Sequence, residues 1–157
     1  MRIFNGIDDF SQYVGEEIGV TEWRTITQED INAFARVTND HQWIHVDLER
    51  AALGPVGTTR VHGYLTLSLV SGFLFETYRI DGLSMGVNYG SNKVRYPAPV
   101  LVGSRVRGRI KLVALDRADN WAHSTVQVTV EQELNGEAKK PGCVAEVVSR
   151  LYEAPAA

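Results

Sequence analysis

Cysteine is nearly absent from this chain: Cys143 is the only one in 157 residues. A lone thiol excludes an internal disulfide framework and fits a reducing compartment. Long hydrophobic runs are missing as well. The most apolar stretch, Tyr64 to Phe75, is broken by Thr66, Ser68 and Ser71 and is too short to span a bilayer. The first twenty residues carry Asp8, Asp9, Glu16 and Glu17 and no apolar segment, so no secretory signal is expected there. There is no basic excess: a net charge of −3 gives no reason to expect nucleic acid as a partner. Neither a Gly-x-Ser-x-Gly elbow nor a glycine-rich phosphate loop occurs. What is there, 44% apolar and 22% charged residues, is ordinary for a globular protein. The length suits one domain, residues 1–157, expected to be cytoplasmic and free of membrane.

Helices come first in the pattern and strands follow. A helical turn is possible around Ile7 to Tyr13, and Glu22 to Ile26 alternates weakly as a short strand. Thr27 reads as an N-cap with Asp30 at the capping-box position, opening a helix with Ile31, Phe34, Ala35 and Val37 as its apolar stripe. That helix ends near Thr38 and Asn39. Asp47 caps a short helix, Leu48 to Leu53, which Gly54 and Pro55 stop. From Gly63 to Tyr78 runs a helix with apolar residues all round its axis, the mark of an element buried on nearly all sides. Gly72 in its middle costs about 1 kcal/mol against Ala and suggests close packing there.

Strands fill the second half. Val87 to Val94 is one, ended by Pro97 and Pro99. Ser104 to Leu115 sets Val106, Ile110 and Leu112 on one face and Arg105, Arg107, Arg109 and Lys111 on the other. Trp121 to Leu134 alternates the same way, Asn135-Gly136 is a hairpin signal, and Ala145 to Tyr152 is a third long strand. Lys140-Pro141-Gly142 marks a bulge or an edge. A turn around Asp119 would set Arg107 opposite Glu131 and Arg105 opposite Glu133. The basic row is therefore read as cross-strand pairing on a solvated face, not a phosphate grip. Helices followed by an antiparallel meander make an α+β arrangement, with the apolar helix wrapped by a curved sheet.

One stretch looks made for chemistry: Thr38 to Asp47, T-N-D-H-Q-W-I-H-V-D. Asp40 and His45 are five apart, a spacing that matches neither a helix face nor a strand face, so they meet only if a turn brings them together. A carboxylate beside an imidazole suits proton transfer near neutral pH. The plainer alternative is that Asp40 ends the helix and His45 packs. His41 and His45 have a metal-ligand spacing, but there is no HExxH glutamate and the helix has ended, so no metal is expected. Cys143 and His123, both set in strands, are read as packing residues.

Taken together, Asn39-Asp40-His41-Gln42-Trp43-Ile44-His45 with Ala51, the His62-Gly63 helix start, and Arg95-Tyr96-Pro97 through Pro99-Val100 resemble the MaoC-like dehydratases. These are the (R)-specific enoyl-thioester hydratase branch of the hot-dog superfamily. Asn39, Gln42 and Trp43 depart from that family's usual glycine, asparagine and proline. With Asn88-Tyr89-Gly90 they are similar to the nodulation-protein-N-like subgroup. The resemblance covers nearly the whole chain.

The resemblance implies a hot-dog fold, an antiparallel sheet around a long central helix, and a homodimer with active sites near the subunit interface. It implies reversible hydration of trans-2-enoyl thioesters to (R)-3-hydroxyacyl thioesters, carried on coenzyme A or acyl carrier protein, with no cofactor. Asp40 and His45 would be the catalytic pair, and the backbone N–H of Gly63 the oxyanion donor. Arg60, Val61, His62, Gly63, Val87, Asn88, Tyr89 and Arg95 would contact substrate. His62 could instead support the turn. Two rivals stay open: a hot-dog acyl-thioester hydrolase, and a non-catalytic acyl-thioester binding protein.

Overall fold

The structure, a computed structural model, describes residues 1–155. Strand β1 (Arg2–Phe4) leads into α1 (Gly6–Ser11), β2 (Glu17–Val20) and β3 (Arg24–Thr25). Three helices follow, α2 (Gln28–Thr38), α3 (Trp43–Val46) and α4 (Leu48–Ala52), and then the long α5 (Gly63–Thr77). The second half is β4 (Tyr78–Ile80), β5 (Leu83–Arg95), β6 (Arg105–Arg117), β7 (Trp121–Leu134) and β8 (Glu137–Glu153).

The main sheet is antiparallel in the order β2-β6-β7-β8-β5, with β3 joining β6 beside β2. Its inner face is the one the alternation foretold. Val106, Ile110 and Leu112 of β6 and Val126, Val128 and Val130 of β7 are fully buried, and Ala145 and Leu151 of β8 complete the floor. Against it lies α5, burying Leu65, Thr66, Val70, Phe73 and Thr77. Phe73 reaches 1% exposure, a burial that contributes about 1.5–3 kcal/mol. Close approach is bought by Gly108 of β6, where an added Cβ would come 2.8 Å from Phe73.

Turn chemistry sets the register. Asn135 and Gly136 take φ of 54° and 79°, the paired positive values of the hairpin turn such a dipeptide favours. Lys140 to Gly142 bulges out of the β7–β8 ladder, between the pairs Val130–Cys143 and Gln132–Lys139. Arg105 pairs with Glu133 and Arg107 with Glu131, at 2.6 Å each, and Arg109 joins Glu131 and Glu17 at 2.7 Å. Burial opposes charge on Glu131, but the hydrogen bonds from Arg109 and Arg107 outweigh it and hold its carboxyl below the usual range.

Three expectations need correction. The strand expected over Glu22 to Ile26 is only the two residues of β3, and β2 precedes it. Val37 is not part of the apolar stripe of α2: it is 85% exposed, because the helix buries only Ile31 and Ala35 fully. Nor is α5 enclosed on all sides. Tyr64, Ser68, Ser71, Gly72 and Phe75 form an exposed stripe, and nothing lies within 4 Å of a Cβ built on Gly72. A small parallel pair, β1 with β4, was also outside the sequence pattern.

Candidate active site

Placement of the pair begins with α2. Its capping box is complete: Asp30 N–H donates to Thr27 Oγ1 at 3.2 Å, and Thr27 N–H donates back to Asp30 Oδ2 at 2.8 Å. The Thr27 N–H, and after it the Thr27 hydroxyl, which also donates to Asp30 Oδ2 at 2.9 Å, hold the Asp30 carboxyl below its usual value against the opposing effect of burial. At the other end Asn39 takes φ of 58°, a left-handed cap that turns the chain sharply out of the helix. Asp40 emerges there, half exposed. The chain then coils once as α3, which carries His45 inward to 7% exposure.

Two residues that spacing did not reveal hold α3 in place. Gln28 donates to the His45 carbonyl at 2.8 Å and to Asn32 Oδ1 at 2.9 Å. Its own Oε1 accepts from the hydroxyl of Thr59, which is fully buried, at 2.6 Å. The Arg60 N–H donates to the Ile44 carbonyl at 3.0 Å. The partners lie 17 and 31 residues from Gln28, so no local pattern could have shown them.

Ring chemistry follows from acceptors that cannot donate. Nδ1 of His45 sits 2.7 Å from the Arg60 carbonyl oxygen, so Nδ1 carries the hydrogen and Nε2 presents a lone pair. Burial, opposed by that hydrogen bond and reinforced by neighbouring His62, pushes the His45 pKa below its ordinary value of 6.5. Near neutral pH this imidazole is a base.

Next to it lies His62, 2% exposed, whose ring stacks on His45 with centroids 3.8 Å apart and planes 22° apart. One donor atom from each of Asp40, His45 and His62 lies within 4.8 Å of the other two. Two hydrogen bonds of about 2.8 Å meeting at a tetrahedral water span about 4.6 Å, so the gap between Asp40 and His45 is the size of one bridging water. His62 is also the residue before α5, and Gly63, as the first helical residue, leaves its N–H without an intrahelical acceptor at the positive end of the helix. The ring of Tyr96 covers Gly63 so closely that an added Cβ would sit 3.3 Å from it.

The other residues singled out from the sequence disperse. Val61 is buried and Arg60 half-buried behind the pair. Val87 and Asn88 line a cavity of about 330 Å³ farther along α5, with Val70, Ser71, Leu74 and Val147. Asp40 and His45 do not border that cavity. Tyr89 faces elsewhere: it stacks on His123 at 4.5 Å and on the Arg150 guanidinium at 4.4 Å. Arg95 is exposed and donates to the Val94 carbonyl. His41 is exposed and precedes α3, so it does not share a helix face with His45. Cys143 is fully buried, and burial pushes its thiol up to about 11.

An antiparallel sheet curved around one apolar helix, with reactive groups at that helix's amino end, is the hot-dog fold. The solved R-hydratase from Pseudomonas aeruginosa shares it, with a TM-score of 0.68 over 90% of this chain and 83% of that one, at 20% identity. The chain belongs to the MaoC-like family: residues 9–135 match the model of the MaoC like domain. It is 50% identical over 151 residues to 3-hydroxyacyl-thioester dehydratase Z of Mycobacterium tuberculosis, covering 96% of this chain and 98% of that protein. Nodulation protein N of Rhizobium leguminosarum bv. viciae is 46% identical over 128 residues, 80% of each chain.

Proposed function

We propose that this protein reversibly hydrates trans-2-enoyl thioesters to (R)-3-hydroxyacyl thioesters, as a hydro-lyase of one domain, residues 1–157. The observation that carries this reading is the water-sized gap between the Asp40 carboxylate and a His45 ring whose Nε2 is free to accept a proton. The high identity to a protein named as a 3-hydroxyacyl-thioester dehydratase supports it.

In the hydration direction the pair holds one water. His45 Nε2 takes a proton from it as the water oxygen bonds to Cβ. The Cα–Cβ π electrons move toward the thioester, whose oxygen takes up negative charge against the Gly63 N–H. A proton from the pair then goes to Cα, so water is added overall and the pair is restored. Dehydration is the same path reversed. Losing an oxyanion donor of this kind typically costs about 3–4 kcal/mol of barrier.

The functional unit in this reading is a homodimer. The stripe from Tyr64 to Phe75 has small residues at its centre and an aromatic at each end, 73% and 78% exposed. Beside it the edge strand β5 exposes Met85, Val87 and Tyr89 along thirteen residues with one side unpaired. A long bare edge is a template for another strand. A two-fold axis at the centre of the stripe would pair both features at once and set each amino end of α5 beside the second half of the partner helix. The acyl thioester, on coenzyme A or acyl carrier protein, would then meet residues of both chains. No helix among the described residues is long and apolar enough to cross a membrane, and a cytoplasmic setting suits the single buried thiol.

The test is an assay on crotonyl and longer enoyl thioesters, following loss of conjugation and release of thiol together. Loss of conjugation without free thiol is expected, and Asp40→Asn or His45→Gln should abolish it while leaving the fold intact. Thiol released in step with turnover would make the protein a hydrolase, and binding without turnover would make it an acyl-thioester carrier.

A further inference from the structure

Resting on that reading, we propose that His62 is a positioning residue, which clamps the Asp40 loop, the His45 ring and the start of α5 into one block. Its Nε2 lies 3.0 Å from the backbone carbonyl oxygen of Asp40. A carbonyl only accepts, so Nε2 carries the hydrogen and donates to the main chain of the carboxylate residue. One flat side of the ring lies on His45, and Phe34 of α2 leans on it at 5.1 Å. The next residue in the chain is Gly63. Three separate pieces of the site thus meet on one imidazole.

Core packing alone does not account for a histidine here. Nδ1 of His62 is buried with no hydrogen-bond partner among the described residues, and a buried polar atom without a partner costs stability. Phenylalanine would fill the space without that cost. What it would not do is bond the Asp40 carbonyl. That loop has little else to hold it: the Asp40 carboxylate receives one long contact from the Gln42 N–H, 3.5 Å, and its side chain is half exposed. The rigidity that fixes Asp40 against His45 comes through His62.

Two substitutions separate the parts of this role. His62→Phe keeps a ring on His45 and removes the donor; His62→Gln keeps a donor within reach of the Asp40 carbonyl and removes the ring. With an enoyl thioester, His62→Phe should lower kcat about tenfold or more with KM changed less than about twofold, the pattern of lost transition-state positioning. His62→Gln should recover part of that kcat. The groups acting on His45 are Asp40, Arg60 and His62, and His62 disfavours its charged form. In both variants the acid limb of the kcat/KM profile should therefore move to higher pH.

A His62→Phe enzyme with wild-type kcat per folded molecule and an unmoved acid limb would overturn the proposal, whatever its melting temperature. If both variants fail to fold, nitrogen-15 shifts of His62 in the wild-type protein decide. A hydrogen on Nε2 supports the clamp, and a bare Nε2 overturns it. Wild-type protein inert toward every enoyl thioester overturns the hydratase reading itself, a result that none of these variants is needed to see.

Discussion

Gln28 offers a quantitative test of how the site is held. Its amide joins three elements: the His45 carbonyl at 2.8 Å, Asn32 of α2 at 2.9 Å, and the hydroxyl of Thr59 at 2.6 Å. Gln28→Leu leaves the Thr59 hydroxyl, fully buried, without its acceptor, and the His45 carbonyl without its donor. Each buried group so orphaned costs about 1–3 kcal/mol. Because Gln28 itself is only half-buried and water can reach part of the gap, the expected loss is about 2–4 kcal/mol, the lower part of that sum. For a chain of this size that lowers Tm by about 5–15 °C. Thr59→Val removes the other end of the bond. The double variant Gln28→Leu with Thr59→Val leaves no orphaned hydroxyl, so it should be less destabilised than the sum of the singles by about 0.5–3 kcal/mol. The assay is urea unfolding of all four proteins, with hydration rates measured on the folded fraction. Costs that add within about 0.5 kcal/mol would show that the bond does not couple the two segments, and the account of how α3 is anchored would be wrong.

Four other outcomes can be checked. Hydration should depend on the base form of His45, so kcat/KM should rise with pH and its acid limb should lie below 6.5, the value of a free histidine. Because the folded pKa is below the unfolded one, the unfolded chain binds the extra proton first; stability is then full above about pH 6.5 and lost as pH falls below it, readable by urea midpoints across pH. Gly108→Val forces atoms into Phe73, which already lies 2.8 Å from the site of a Cβ, and should cost at least the 1–3 kcal/mol typical of overpacking, measured by thermal unfolding. Finally, Cys143, fully buried and with its thiol raised to about 11, should stay unmodified by an aromatic disulfide reagent until denaturant is added; rapid labelling of native protein would contradict its burial.

Much of the sheet could be read from residues alone because strand faces alternate with period two and charge reports which face is wet. Arg105 and Arg107 met Glu133 and Glu131 as the alternation and a β6–β7 turn around Asp119 required, while the Asn135-Gly136 turn set the register of β8 on β7. Capping was legible too, since Thr27 and Asp30 act within one turn of each other. Asp40 and His45 were legible as two residues of one motif, but not as a geometry. Five residues of spacing do not say that Asn39 adopts a left-handed cap, or that one turn of helix swings His45 back toward Asp40.

Other features belong to tertiary structure, for a common reason: they depend on contacts between segments far apart in the chain. Gln28 reaches Thr59 across 31 residues, and His62 reaches Asp40 across 22. Tyr89, assigned to substrate by the resemblance, stacks instead on His123 and Arg150, at the point where the register of β5 on β8 slips between Asn88 and Gly90. The exposed stripe on α5 was hidden by composition, since Tyr64 and Phe75 look like core when only their hydropathy is known. Periodicity therefore determined the long strands of the sheet and the face each turns inward. The fold alone decided which imidazole is a base, because a tautomer is chosen by whatever acceptor the folded chain places beside the ring.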